Sequence, residues 1–207
     1  MTRSVSTAHS TARRKLLIDA LAGAGAAGLL PLAGATGAAG KPRVAQLPAN
    51  PATPAGGMHD FDFFVGHWHG TNRRLKRRWA GSDDWDVFPG DLRCESRMGG
   101  GVNIDEVRFA TKGWSGMTVR IFNPAKRQWA LYWINSITGE LFPPVLGGFD
   151  GRHGEFYGDD SDEGRPVKVR FRWKSIDADN AYWEQAFSLD GKEWEINWTC
   201  DFKRMQA

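Results

Sequence analysis

The sequence predicts an all-β domain, closed as an antiparallel up-and-down barrel of about ten strands, and three observations carry that prediction. Apolar and polar side chains alternate with period two through the C-terminal half. Turn residues interrupt that pattern about every ten positions, and no run of about ten residues keeps a helical period. Many short, evenly spaced strands build a sandwich or a barrel, and successive hairpins favour the up-and-down barrel.

The elements follow in order. Asp60–Val65 reads as a short helix or turn ahead of the first strand. Strands are expected near 67–79, 85–97, 101–109, 114–122, 128–136, 145–150, 153–158, 166–176, 181–189 and 193–203. The stretch Trp68–Trp79 has no clean alternation, but the last three strands do. Val167, Val169, Phe171 and Trp173 alternate with Lys168, Arg170, Arg172 and Lys174. Trp183, Gln185 and Phe187 alternate with Glu184, Ala186 and Ser188, and Trp194, Ile196, Trp198, Cys200 and Phe202 with Glu195, Asn197, Thr199 and Asp201. Asp190-Gly191 between two such runs marks a hairpin whose turn needs positive φ. Asn123-Pro124-Ala125-Lys126 and Phe149-Asp150-Gly151-Arg152 mark two more turns. Gly99-Gly100-Gly101 opens no helix, so it reads as a turn or bulge rather than a phosphate loop.

Two segments precede the barrel domain, which is expected over 58–207 as the one folded unit of the 207-residue chain. Arg13-Arg14 stands directly before an Ala, Gly and Leu stretch that contains Asp19 and is too mildly apolar for a membrane span. Small residues follow at Ala33-Gly34-Ala35 and Thr36-Gly37-Ala38. Residues 1–40 therefore look like a twin-arginine-type export signal, with an uncleaved disordered arm as the alternative. Residues 41–57 hold four prolines and few large apolar side chains, which predicts a flexible linker. The expected destination is periplasmic or secreted, with no stable membrane anchor once the signal is removed. Twin-arginine export handles folded proteins, with or without a cofactor, so the cofactor is left unknown.

Charge narrows the function classes. Removing Arg3, Arg13, Arg14 and Lys15 against Asp19 reduces 27 basic and 24 acidic side chains to 23 of each. A neutral domain gives no electrostatic basis for nucleic-acid binding. The basic run Arg73–Arg78 is followed by Asp83, Asp84 and Asp86 and reads as a solvated strand end. Ten Trp and twelve Phe are enough for a large core or an aromatic-lined pocket. Cys94 and Cys200, the two cysteines, lack zinc or redox spacing; they read as small buried hydrophobes or as one bridge.

Phe61-Asp62-Phe63-Phe64-Val65-Gly66-His67-Trp68 forms a short apolar turn followed by Gly-x-Trp at the start of a strand, and the chain ends Phe202-Lys203-Arg204. This resembles lipocalin-like (calycin-type) barrels. The resemblance implies that Trp68 plugs one end and that Arg204, from the last strand, covers its indole. The domain also resembles an uncharacterised bacterial family with that type of barrel. Phe61–Trp68, Gly100–Glu106, Phe156–Asp160, Gly164–Trp173, Trp183–Ser188 and Asn197–Arg204 are among the matching stretches. That resemblance implies a fold and no activity. Another calycin branch binds haem through a histidine, whose position has no clear match here.

The candidate site is a barrel lumen. Trp133, Phe171, Trp173, Trp183, Trp194 and Trp198 form an aromatic row, joined by Gln185, that would line a cavity for a small apolar or amphiphilic molecule. Arg170, Arg172, Glu184 and Glu195, with Asn197, form a polar cluster, read as exterior ion pairs or, with the faces inverted, as a clamp inside the lumen. An enzyme would use Arg172 and Glu184 with Gln185 or Asn197 orienting its substrate. A domain without ligand, serving structure or a partner, is the third possibility. His67 and His69 share a strand face opposite Trp68; with His59 they could reach a metal, although exposed histidines explain them better. Asp159, Asp160, Asp162 and Glu163 read as an acidic solvated turn.

Overall fold

Ten antiparallel strands close on themselves in the computed structural model, which describes residues 47–206. They are β1 (Gly66–Leu75), β2 (Trp85–Arg97), β3 (Val102–Phe109), β4 (Trp114–Asn123), β5 (Gln128–Asn135), β6 (Val145–Asp150), β7 (His153–Asp162), β8 (Arg165–Ser175), β9 (Asn180–Ser188) and β10 (Glu195–Arg204). Each strand pairs with the next, and β1 pairs with β10, so no sheet edge is left open. The proposed signal and the first part of the linker lie outside the described residues.

Three boundaries differ from expectation, each for a local reason. β1 stops at Leu75 because Lys76 N–H donates to Asp84 O, which turns the chain into a loop over 76–84. β7 continues to Asp162, since Asp159 Oδ1 accepts from Lys168 Nζ at 2.5 Å across the β7–β8 ladder. The acidic stretch is thus a strand end, and the turn comes at Glu163 and Gly164, both at positive φ. The end of the linker is not a free tether. Gly56 is buried, its N–H donates to Arg127 O at 2.7 Å, and Gly57 O accepts from Trp129 Nε1 at 2.9 Å.

One end of the barrel is plugged. The 3-10 turn Asp62–Phe64 carries Phe61 and Phe64 inward against Trp129, Phe149, Trp173 and Phe202, mostly edge to face. Trp68 is fully buried and stacks on Phe64. Trp68 and Arg204 are direct cross-strand partners, and the guanidinium lies 4.1 Å from the indole centroid. Arg204 also donates to the carbonyls of Phe63, Val65 and Ala178 at 2.7, 2.7 and 2.8 Å. Glycine is required at Gly66, where φ is 125° and a Cβ would sit 2.6 Å from Arg204 Nη1. That accounts for the Gly-x-Trp pattern: glycine makes room for the arginine that covers the tryptophan.

β3 and β4 reverse the usual pattern. Their inward residues include Asn103, Asp105, Thr118 and Arg120, all buried, while Met117 and Ile121 face outward and are partly exposed.

Candidate functional site

Above the plug lies a cavity of about 340 Å³. This is within the range that holds small organic ligands. Trp133, Phe171, Trp173, Trp183, Gln185 and Trp198 all line it. Their rings meet at angles: Phe171–Trp183 at 5.1 Å, Trp183–Trp198 at 5.7 Å and Trp133–Trp198 at 6.3 Å between centroids. Trp133 reaches across β4 only because residue 116 is glycine, where a Cβ would lie 2.0 Å from the indole.

Trp194 is not part of this row. The β9–β10 register shifts between Ile196 and Trp198, so Asn197 is the extra residue of a bulge. Continuous alternation would have placed Trp194 inside with Trp198. Instead Trp194 packs outside the barrel on Tyr157 and under the Arg170 guanidinium, 4.8 Å away.

The polar cluster is divided by the barrel wall. Arg170, Arg172 and Glu184 are on the outer face, where Arg172 Nε donates to Glu155 Oε1 at 2.8 Å and Arg170 lies 3.5 Å from Glu184. Asn197 is inside with Gln185, whose Nε2 donates to Asn197 Oδ1 at 2.8 Å. Glu195 takes a third position, above the cavity, accepting the Trp79 backbone N–H with both carboxylate oxygens. Arg172 and Glu184 therefore do not converge with Gln185 and Asn197, and the arrangement needed for acid–base work by those four is absent.

The structure adds cavity residues that the sequence did not single out. Asp105 and Arg120 are both buried and form an ion pair at the inner end of the cavity. Arg120 also donates to Asn103 Oδ1 at 2.7 Å and lies over Phe61, Phe64 and Trp173 at 4.9, 5.5 and 5.3 Å. Burial pushes the Asp105 carboxyl above the usual range, against the pull of Arg120. Asn72 on β1 is buried, and its Oδ1 accepts from Trp198 Nε1 at 3.0 Å. Arg74, two residues on, lies 5.0 Å above the Trp198 ring. The one available signal was the Asn103-x-Asp105-x-Val107-x-Phe109 alternation, which puts Asn and Asp on the face of Val and Phe.

Over the cavity, the 76–84 loop is clipped down. Arg78 and Trp79 Nε1 both donate to Asp162, the latter at 2.6 Å. Burial alone would raise the Asp162 pKa, but these donors together hold it below the ordinary carboxylate value. Trp79 adopts φ of 62°, uncommon for a bulky side chain.

His67 and His69 face outward, as their position opposite Trp68 requires. His69 pairs with Asp91 and His59 with Asp62, each at 2.9 Å. Among the described residues no three potential metal ligands converge. Cys94 and Cys200 are both free and buried, and desolvation pushes both thiols up, Cys94 to about 11.

No protein-family model matches the chain, and no curated protein matches it.

Proposed function

We propose that the domain is an exported, calycin-like binding barrel that holds one small apolar or amphiphilic molecule in its aromatic cavity. The observation that carries this is the combination of size and lining. A cavity of about 340 Å³ is walled by large aromatic rings, and its buried polar atoms include several without partners. A lumen serving only as core would be filled by its own side chains, and its polar atoms would be paired. Export to the periplasm or beyond rests on Arg13-Arg14 and the mild apolar stretch after it. The calycin likeness rests on Gly66-x-Trp68 and the Arg204 cover.

The test is in two parts. Native mass spectrometry of the full chain, purified without denaturation, detects a retained small molecule. Titration of tryptophan fluorescence with a panel of aromatic and lipid ligands then measures binding, because Trp133, Trp183 and Trp198 all face the cavity. Saturable quenching lost in Gly116→Ala, whose Cβ overlaps the Trp133 indole and displaces that ring, supports binding in the lumen, provided the variant still melts cooperatively. Absence of any retained mass and of any saturable quenching across the panel sinks the proposal.

A further inference from the structure

The β1–β10 seam carries the same pair of side chains twice, in opposite orientation. At the plugged end Trp68 of β1 faces Arg204 of β10; at the cavity end Arg74 of β1 faces Trp198 of β10. Both guanidinium groups lie over their partner's indole, at 4.1 and 5.0 Å. Their remaining bonds differ completely. Arg204 donates to three backbone carbonyls. Arg74 has no hydrogen bond and no carboxylate within ion-pair distance among the described residues. The two acids whose charge it feels most, Asp162 and Asp86, are already held by Arg78 and Lys112.

Beside Arg74 the cavity wall holds hydrogen-bond donors that are unpaired but closed to the cavity itself. Asn72 and Asn197 are each at most 3% exposed and line the cavity. Their oxygens are occupied by Trp198 Nε1 and Gln185 Nε2, while Nδ2 of both has no partner. Trp198 Nε1 can only donate, which fixes the orientation of the Asn72 amide and turns its NH₂ away from that bond. Deeper in, Trp173 Nε1 and Arg120 Nε are likewise donors without partners. The one cavity-lining acceptor in that state, Asp105 Oδ2, lies against Arg120.

Of the other acids at the mouth, Glu163 projects into solvent and Asp160 accepts the Ser161 N–H, its own carboxyl pushed up by burial. Among the described residues, that leaves Arg74 as the one cation lining the cavity that no acid neutralises by contact.

We infer that the cavity's ligand is an aromatic carboxylate. Its ring lies among Trp133, Trp183 and Trp198, and its carboxylate is taken by Arg74. This rests on the binding reading above and specifies its ligand class.

Three probes with one naphthalene ring and different head groups test it on the full chain: 1-naphthaleneacetate, 1-naphthaleneacetamide and 2-(1-naphthyl)ethylamine. Affinity is read by tryptophan quenching and by calorimetry, at low and high salt. The acid should bind roughly ten-fold to a hundred-fold more tightly than the amide, as charge-assisted hydrogen bonds to carboxylates do, and the ammonium most weakly. Arg74→Met should bring the acid down to the level of the amide while leaving the amide unchanged. Asn72→Asp, which keeps the acceptor for Trp198 Nε1 and sets a carboxylate two residues from Arg74, should weaken the acid more than the amide. Thermal melts confirm that both variants fold. If the amide or the ammonium binds as tightly as the acid, the carboxylate assignment is overturned and the binding barrel stands. If none of the three binds, the aromatic carboxylate is overturned, and the binding barrel stands or falls on the retained mass and the wider ligand panel.

Discussion

Trp68 and Trp173 are buried indoles on neighbouring layers of one barrel, and their N–H groups meet opposite fates. Trp68 Nε1 donates to Phe64 O at 2.8 Å, whereas Trp173 Nε1 has no partner. The same contrast separates Arg204, with three carbonyls, from Arg74, with none. Each side-chain nitrogen of Trp68 and Arg204 donates to a backbone carbonyl, whereas several donors in the cavity wall are left unpaired. Asn72 and Asn197 are half-satisfied and Trp173 Nε1 is unpaired, so the cavity wall carries a desolvation cost that the plug does not.

The largest effects should come from the inner end of the cavity, where the two regions meet. Asp105→Ala leaves Arg120 buried without its counter-charge and should destabilise the fold by about 3–5 kcal/mol in urea unfolding. Replacing both, as Asp105→Leu with Arg120→Met, should recover most of that loss, since an apolar pair carries no orphaned charge. If the double variant is as unstable as Asp105→Ala alone, the pair is not what holds the floor.

Of the same order or smaller are the effects at the plug residues. Trp68→Ala should cost about 3–5 kcal/mol, as other large-to-small aromatic changes in cores do. Arg204→Ala should cost less, about 2–3 kcal/mol, because it removes one cation–π contact and several hydrogen bonds to carbonyls. The double variant should fall short of the sum, since the two side chains touch. Additive losses would mean that each acts alone. The comparison sharpens with Arg74→Met, which removes the matching pair at the other end. It should change stability by under about 1 kcal/mol, because an exposed cation–π contact is all that is lost.

How much of this was legible follows from where the side-chain period is informative. In β8 and β9 the alternation is strong, and it places Phe171, Trp173, Trp183 and Gln185 correctly on one face. The plug was legible because Gly66 and Trp68 sit in a short pattern with a direct steric reason, and Arg204 closes it from the last strand. In β3 and β4 the same period misleads. Met117, Val119 and Ile121 are the more apolar set, yet Thr118 and Arg120 point inward. A period of two separates two faces without saying which is inside, and only the partner Asp105 across the ladder makes an inward arginine tolerable. Trp194 failed for another reason. One inserted residue at Asn197 reverses the face of everything before it, and a bulge leaves no mark in composition. The polar cluster around Arg170 and Glu195 inherits that same break.

The smallest expected effect concerns the loop that Arg78 and Trp79 clip over the cavity. Asp162 is nearly buried and accepts from both residues, and its pKa lies below the ordinary carboxylate value near about 3.9. A carboxyl whose folded pKa is depressed stabilises the fold above its unfolded pKa, and that contribution disappears as pH falls through the folded value. The clip should therefore hold at neutral pH and release only on strong acidification. Asp160 and Asp105 run the other way. Both are raised in the fold, so their contributions are present at low pH and are lost as pH rises through their folded values. The acid limb of wild-type stability is a sum of opposing terms, and the informative quantity is the difference from one variant. Asp162→Asn keeps an acceptor for Trp79 Nε1 and removes the charge that meets Arg78. Its stability should fall slightly at pH 7, and the gap to wild type should close as the pH drops below the ordinary carboxylate range. Hydrogen-exchange protection of the 76–84 amides, referred to the intrinsic rate at each pH, should follow the same course, low in the variant at all pH values and low in wild type only in acid. A gap that persists unchanged at low pH would show that Asp162 acts through shape and not through its charge, and the plug would then be the only end of the barrel held by a guanidinium.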